Sequence, residues 1–157
     1  MNNNYYRLIK RIEEVAKQNV IVESVIYAKT EDKDLFKNTK FPLIHINPTQ
    51  STFLNEKVTQ ISFEIGVFTI RDASKVRQDI GFEGQDNVID NHNTTYAILN
   101  ELLTTLRKDN RDGIRMMDNI ALTPIFLADK NGLDGWMATI TFQMPSFLNV
   151  TENMNRN

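Results

Sequence analysis

The residue types that most often perform chemistry are sparse in this sequence. It contains two histidines, His45 and His92, and no cysteine. Neither histidine has a second ligand at a spacing such as HxH or HExxH, which would indicate a metal site or a general base. The pattern therefore favours one strand histidine and one loop histidine with separate structural roles. The absence of cysteine excludes disulfides, zinc–thiolate sites and thiol nucleophiles.

Carboxylates are numerous but lack the spacing of a cation site. Residues 31–34 read Glu-Asp-Lys-Asp, without the central glycine and closing glutamate of a calcium loop. The spacing of Asp86, Asp90 and Asn91 is similarly unspecific. We expect solvated acidic loops at both places and no bound metal.

Patterns that bind phosphates or bases are also missing. The segment from Gly81 to Gly84 comes nearest to a glycine-rich phosphate loop, but it is not predicted to lead into a helix. Tyr5, Tyr6 and Trp136 have ring faces on which bases can stack, yet no basic stripe surrounds them and core packing explains their spacing. We therefore expect no catalytic residue and no cofactor.

Length and composition fit one globular domain. The chain has 157 residues, of which 41% are hydrophobic and 24% charged, with a formal net charge of −2. This balance provides no general attraction to nucleic acid or to an anionic membrane. No apolar run approaches the ~20 residues that span a bilayer. We predict a single α+β domain over residues 1–148 and a polar C-terminal tail over residues 149–157.

The N-terminal half of the chain combines one helix with extended segments. Apolar residues at three- and four-residue steps predict a helix at Asn4–Gln18, capped by its first residue. Runs rich in Val and Ile predict strands at Val20–Ala28 and at Leu43–Ile46, where a following proline ends the second one. Strict alternation predicts the clearest strand, Val58–Ile70, after a polar connection at Thr49–Lys57.

The C-terminal half continues with a long unpatterned segment, a helix and a hairpin. Near the end of the clearest strand, Phe68 falls on the polar face, which indicates either a covered face or a bulge. Residues 71–93 have no sustained period and are predicted to be a loop. A Leu-rich helix, capped by Asn93 or Thr94, then runs to Lys108. Strands follow at residues 120–127 and 135–144, joined by a turn at 129–132.

This order of elements predicts an α+β fold with a mostly antiparallel sheet and two helices packed on one face. Short turns between strands favour antiparallel pairing, and an apolar stripe on each helix requires a sheet face to cover it. Trp136 heads the inward-facing residues of the last strand, and we predict that it is buried against the second helix.

In the order and residue sequence of its segments, the chain resembles the tail-terminator (tail-completion) family of tailed phages and the related neck ring proteins of short-tailed and crAss-like phages. An N-terminal amphipathic helix and an acidic loop come first. The further matching pieces are Asn38–Ile46 (NTKFPLIHI), Val67–Asp72 (VFTIRD), Asp86–Asn91 (DNVIDN) before the Leu-rich helix, and Gly135–Ser146 (GWMATITFQMPS). The resemblance spans residues 5–146.

The resemblance implies a structural role without catalysis. Members of the family form closed homo-oligomeric rings, six-fold on long tails and commonly twelve-fold in short-tail necks. The implied partners are copies of the chain itself and neighbouring portal, connector and tail proteins. DNA is implied only as cargo that passes through the ring, and no membrane is involved. The implied location is the neck or tail of the virion, after assembly in the cytoplasm of the host bacterium.

The long segment before the second helix supplies the candidate contact surface. Its apolar residues are too many for a linker that stays in water, and its interspersed charges suit a rim that fixes register. The candidate subunit-interface residues are Lys75, Val76, Arg77, Ile80, Phe82, Val88 and Ile89. The alternative function is a small monomeric α+β module that binds a small molecule or nucleic acid, and the oligomeric state distinguishes the two.

Overall fold

The computed structural model describes residues 3–29, 39–117, 119–128 and 132–146. Within these ranges the elements are α1 (Asn4–Gln18), β1 (Ser24–Tyr27), β2 (Leu43–Phe53), β3 (Val58–Ile70), α2 (Asp86–Lys108), β4 (Arg115–Met116), β5 (Leu122–Ala128) and β6 (Leu133–Pro145). Short 3-10 turns lie between β3 and α2 and directly after α2.

The described strands form one sheet. Its order is β1-β2-β3-β6-β4, and β5 pairs with another stretch of β6. β1 runs parallel to β2, and the other pairings are antiparallel. The longest pairing joins β3 to β6 without a register shift, from Val58 opposite Pro145 to Ile70 opposite Leu133. The predicted α+β fold with a mostly antiparallel sheet is therefore confirmed.

One face of the sheet and both helices share the main core. Alternate residues of β3 and β6 meet on that face, as in the pairs Phe63–Ile140 and Ile61–Phe142. They contact the apolar stripes of the two helices, which are Leu8, Ile12, Val15 and Ala16 on α1 and Ile98, Leu99, Leu102, Leu103 and Leu106 on α2. Each large side chain removed from water in this way stabilises the fold by about 1.5–3 kcal/mol. The predicted packing of both helices on one face is confirmed.

The first helix has the predicted bounds but a different cap. The side-chain oxygen of Asn3 accepts a hydrogen bond from the Tyr6 amide at 2.9 Å. Asn4, the predicted cap, is buried and donates to the Pro145 carbonyl at 2.6 Å. Its side chain therefore ties the helix start to the end of β6.

The second strand is longer than predicted. β2 continues through Pro48 to Phe53, so the polar connection predicted at Thr49–Lys57 is reduced to a turn at residues 54–57. The register against β3 shifts between Pro48 and Gln50. Such an irregularity tolerates a proline because a ladder hydrogen bond is already lost there. Residues 49–57, which are the end of β2 and the following turn, are all exposed, and this part of β2 is paired with β3.

The end of β3 is covered on its second face and has no bulge. Phe68 lies with Leu43 and Leu133 in a second, smaller apolar cluster, and the register between β3 and β6 is continuous. The Phe68 ring also covers Gly66, where any added Cβ would collide with it. Of the two alternatives left by the sequence, the covered face is correct.

The second helix begins about two turns earlier than predicted. α2 starts at Asp86, and neither Asn93 nor Thr94 caps it. Three 3-10 turns precede it, at Ala73–Lys75, Gln78–Ile80 and Glu83–Gln85. The first turns of α2 escape detection by periodicity because they bury little apolar surface. The predicted loop over residues 71–93 is therefore wrong from residue 86 onwards.

The C-terminal hairpin is confirmed, with a longer last strand. The predicted strands at residues 120–127 and 135–144 correspond to β5 and β6. Trp136 packs against the main core but is only half-buried. Its indole N–H donates to the His92 carbonyl at 3.0 Å, and its ring meets the edge of Tyr96 on α2.

Some predicted features lie outside the described residues. These are the acidic residues 31–34, the turn residues 129–131 and the tail at 149–157. In the part of the chain that is described, no helix is both long enough and apolar enough to cross a membrane.

Candidate functional site

A buried ion pair anchors the segment between β3 and α2. Arg71, which directly follows β3, donates from Nε and Nη2 to the two carboxylate oxygens of Asp134 at 2.8 and 2.7 Å. The side chains of Arg71 and Asp134 are 9% and 0% exposed. A buried bidentate pair fixes local geometry, because loss of either partner leaves an uncompensated charge. The end of β3 and the start of β6 are thereby held together.

Two asparagines on the first turns of α2 bind residues at or next to the Arg71–Asp134 ion pair. The side-chain oxygen of Asn87 accepts the Asp72 amide at 3.0 Å. The side-chain amide of Asn91 donates to the Ile70 carbonyl at 3.3 Å and to the Asp134 carboxylate at 3.4 Å. The start of α2 is therefore attached to the end of β3, and the residues between them form an excursion with both ends fixed.

Asp72 closes the first turn of this excursion. Its carboxylate accepts the Ser74 hydroxyl at 2.6 Å and the Ser74 amide at 3.1 Å. The Ser74 hydroxyl, together with the nearby Lys75 ammonium, holds the pKa of Asp72 below its usual value. The carboxylate is therefore ionised at neutral pH and available to hold the turn.

Residues 77–84, which we name the tip loop, close on themselves. The Arg77 amide donates to the Gly84 carbonyl at 2.9 Å. The two backbone segments approach so closely that any side chain at Gly84 would collide with the Arg77 carbonyl. Gly81 turns the chain at a φ of 63°, where glycine is favoured. The Gly-Phe-Glu-Gly sequence thus specifies a closed loop.

The tip loop presents apolar side chains to solvent. Phe82 is 80% exposed and Ile80 is 45% exposed. Asp79 and Glu83 flank them, and residues 77–90 contain four acidic residues and one basic residue, Arg77, which pairs with Asp79 at 3.1 Å. Two large apolar side chains that an ordered backbone keeps exposed, next to several acidic residues, are typical of a contact surface.

The predicted interface residues differ in their exposure. Four of them are exposed on the excursion: Lys75, Arg77, Ile80 and Phe82. Val76 is half-buried, and Ile89 is 40% exposed on α2. Val88 is 3% exposed because it lies on the inward face of α2. This side chain therefore packs within its own chain and leaves almost no surface for a subunit contact.

The turn between β2 and β3 carries a second exposed apolar surface, which was not predicted from the sequence. Phe53 is 62% exposed and Leu54 is 45% exposed. The Asn55 side chain closes the turn by accepting the Lys57 and Val58 amides at 2.8 and 3.0 Å. Two adjacent apolar residues before an asparagine turn are the sequence signal that could have identified this surface.

A groove lies beside the C-terminal half of α2. Its volume is about 530 Å³, and residues of α2, β4, β5 and the β4–β5 connection line it. The apolar lining residues are Leu103, Met116, Ile120 and Leu122. Arg107 and Lys108, in the exposed last turn of α2, form its basic rim. None of the described lining residues is acidic.

The structure does not bring the two histidines together. His45 alternates with core residues of β2 and faces away from the helices, whereas His92 lies on α2. His45 Nε2 lies 2.9 Å from the Ala28 carbonyl, and His92 Nε2 lies 2.8 Å from the Ile125 carbonyl. Burial lowers the pKa of His45, so its ring is neutral at pH 7 and donates this hydrogen bond. Each ring therefore binds a different backbone segment.

The candidate cation ligands are also separated. Asp86 and Asp90 are exposed on α2, while Asn91 donates its side-chain amide to the Ile70 carbonyl. Among the residues that the structure describes, no three His, Asp or Glu side chains lie close enough to hold a metal ion.

The glycine segment at residues 81–84 leads into α2, contrary to expectation. A helix N-terminus attracts anions through its unpaired amides. Here, however, Glu83 just before the helix and Asp86 in its first turn place negative charge at that end and repel a phosphate. Charge, and not the absence of a helix, disfavours phosphate binding at this position.

Comparisons with known proteins give no family assignment. No protein-family model matches this chain, and no curated protein matches it. The functional evidence is therefore the chain's own sequence and geometry.

Proposed function

We propose that this protein is a structural subunit that assembles into a ring at the head-to-tail junction of a bacterial virus. The observation that carries the proposal is the tip loop, an ordered and closed segment with Phe82 exposed at its end. The ends of this segment are fixed near a buried ion pair, and its closure requires glycine at position 84. An exposed phenylalanine held in one place by such a loop needs a partner surface to cover it. The resemblance of the sequence to tail-terminator and neck ring proteins supplies the kind of assembly.

The energetics of the tip loop favour association. Burying a large apolar side chain such as Phe82 or Ile80 stabilises a complex by about 1.5–3 kcal/mol. Because the loop is closed by the Arg77–Gly84 hydrogen bond before it meets a partner, little additional backbone ordering opposes binding. The flanking carboxylates fix register and discriminate against wrong partners more than they add affinity.

The chain's charge suits a channel through which DNA passes as cargo. The formal net charge of −2 gives no general attraction for phosphates, and retention of DNA would require clustered Lys and Arg. The proposed partners are therefore copies of the chain, the portal or connector on one side and tail proteins on the other. The proposed location is the virion neck, after assembly in the bacterial cytoplasm.

The test is to remove the tip of the loop in the virus that encodes the chain. Residues 79–83 are replaced by a Gly-Ser bridge, and circular dichroism of the purified variant verifies the fold. We expect filled heads and separate tails by electron microscopy, and normal joined particles with the control variant Val20→Ser, at a residue that is 96% exposed. Normal joined particles with the shortened loop would refute the role of the loop in assembly.

The groove favours the alternative, a monomeric α+β module that binds a small molecule or nucleic acid. Its volume of about 530 Å³ is within the range of about 300–1,000 Å³ typical of small-molecule sites, and its basic rim suits an anionic ligand. This function predicts a monomer at every concentration and saturable ligand binding that Lys108→Glu abolishes. The ring proposal predicts multi-subunit assemblies instead.

A further inference from the structure

The groove and the tip loop have complementary chemistry. The groove has an apolar lining formed by Leu103 and its neighbours, a basic rim at Arg107 and Lys108, and no acidic residue among its described lining. The tip loop has two exposed apolar side chains and begins a stretch, residues 77–90, with four acidic residues and one basic residue, Arg77, which pairs with Asp79. Apolar groups can therefore meet apolar groups while opposite charges meet at the edge.

The tip loop cannot occupy the groove of its own chain. α2 has 23 residues, so at about 1.5 Å per residue it is roughly 35 Å long. The tip loop precedes the first residue of α2, whereas the groove lies beside its last turns, from Asn100 to Lys108. A tip loop that occupies the groove must therefore come from a second copy of the chain.

We infer that the tip loop of one subunit inserts into the groove of the next subunit, with Phe82 against Leu103 and Glu83 beside Lys108. The inference rests on the proposed ring and names the contact that builds it. Because the two surfaces differ, every incomplete assembly keeps one empty groove and one unbound tip loop until the ring closes. The first turn of α2 is acidic at Asp86, and its last turn is basic at Lys108. Each subunit therefore has one acidic end and one basic end, as a head-to-tail contact requires.

A charge exchange tests the pairing of Glu83 with Lys108. Glu83→Lys and Lys108→Glu should each weaken association by roughly tenfold, equivalent to about 1.4 kcal/mol, and combining both changes in one chain should recover most of the loss. Lys29→Glu, an exposed substitution with the same change of charge as Lys108→Glu, is the matched control for that variant. A combined variant that assembles no better than either single variant would overturn the pairing.

A cross-link tests the position of Phe82 directly. The chain has no cysteine, so Phe82→Cys and Thr104→Cys introduce a unique pair, since Thr104 is an exposed lining residue of the groove. One chain with both changes should give a ladder of cross-linked species under mild oxidation. A mixture of the two single variants should give cross-linked dimers only. Val20→Cys combined with Thr104→Cys is the control and should give no ladder.

The outcomes separate this inference from the proposed function. Rings seen by electron microscopy that carry no Phe82→Cys/Thr104→Cys cross-link above the control would overturn the tip-in-groove contact and leave the ring proposal in place. A purified protein that remains monomeric by light scattering at every concentration, together with particles whose neck contains no ring of this chain by electron microscopy, would overturn both. A cross-linked ladder together with charge-exchange recovery would support both.

Discussion

Arg71 and Asp134 are 63 positions apart in the sequence and form a bidentate ion pair with N–O distances of 2.8 and 2.7 Å. Their contact joins the end of β3 to the start of β6, and Asn91 on α2 donates to the same carboxylate. This cluster lies at the base of the excursion that presents the tip loop. The orientation of the exposed Phe82 therefore depends on a buried polar contact.

Removal of one member of this pair should destabilise the protein strongly. Arg71→Met leaves the Asp134 carboxylate buried without its counter-charge, and we expect a loss of about 3–5 kcal/mol in the free energy of unfolding. The double variant Arg71→Met/Asp134→Leu should lose less than the sum of the single variants, because no buried charge remains. Urea unfolding of the four proteins measures the coupling. Additive losses would contradict a direct pair.

Gly84 and Gly81 provide a matched comparison for the closed tip loop. In Gly84→Ala the new methyl group collides with the Arg77 carbonyl, whereas at Gly81 no atom lies within 4 Å of an added Cβ. We expect Gly84→Ala to open the loop and cost about 1–3 kcal/mol, with faster hydrogen exchange of the Arg77 amide. Gly81→Ala should cost a similar amount through its positive φ but keep this amide protected. Equal protection of Arg77 in Gly84→Ala and wild type would contradict the closed geometry.

Trp136 should contribute through both packing and its hydrogen bond. Trp136→Phe keeps an aromatic ring beside Tyr96 but removes the indole N–H that donates to the His92 carbonyl, which should cost about 1 kcal/mol. Trp136→Ala should cost about 3 kcal/mol, near the lower end for aromatic truncations because the side chain is half-buried. Denaturant unfolding followed by circular dichroism measures both. A loss in Trp136→Ala below about 0.5 kcal/mol would be typical of an unpacked surface position.

His45 should make the protein less stable in mild acid. Burial lowers its pKa below the usual 6.5, so as the pH falls below that value the unfolded chain binds a proton before the folded chain does. The free energy of unfolding then decreases, with a slope of up to about 1.4 kcal/mol per pH unit, until the folded-state pKa is reached. Above the usual value the ring is neutral in both states and adds no pH dependence.

The variant His45→Gln isolates this contribution. Its unfolding free energy should change less between pH 7 and mild acid than that of wild type, whatever its absolute stability. Parallel pH profiles of the two proteins would show that His45 takes up its proton equally well in the folded and unfolded states.

The sequence predicted those elements whose pattern is local. Strict alternation specified both ends of β3, and the apolar stripe specified the bounds of α1. The end of β2 and the start of α2 were missed because Pro48 resembles a strand end and because the first turns of α2 bury only Val88. In both cases a tertiary partner, β3 or the Ile70 carbonyl region, decides the local structure.

The features that hold the candidate site depend on distant partners, which a single sequence does not reveal. Arg11 is charged, yet it is buried on the same face of α1 as Leu8 and Val15, where its guanidinium donates to the Arg111 carbonyl at 2.5 Å, 100 positions away. Arg71 and Asp134 are a similar case. The tip loop was accessible to prediction through Ile80 and Phe82, whereas the groove was not, because its walls come from α2, β4 and β5.

The most direct measurement of the central claim is the molar mass of the purified protein by size-exclusion chromatography with light scattering, for wild type and Phe82→Asp. Phe82 is 80% exposed, so the substitution should change the free energy of unfolding by no more than about 0.5 kcal/mol. We predict that wild type forms a closed multi-subunit ring as its concentration rises, while Phe82→Asp stays monomeric and the control Val20→Asp assembles normally. A wild-type protein that remains a monomer or dimer at all concentrations would contradict the proposed ring. A Phe82→Asp variant that assembles like wild type would contradict the role of the tip loop in forming it.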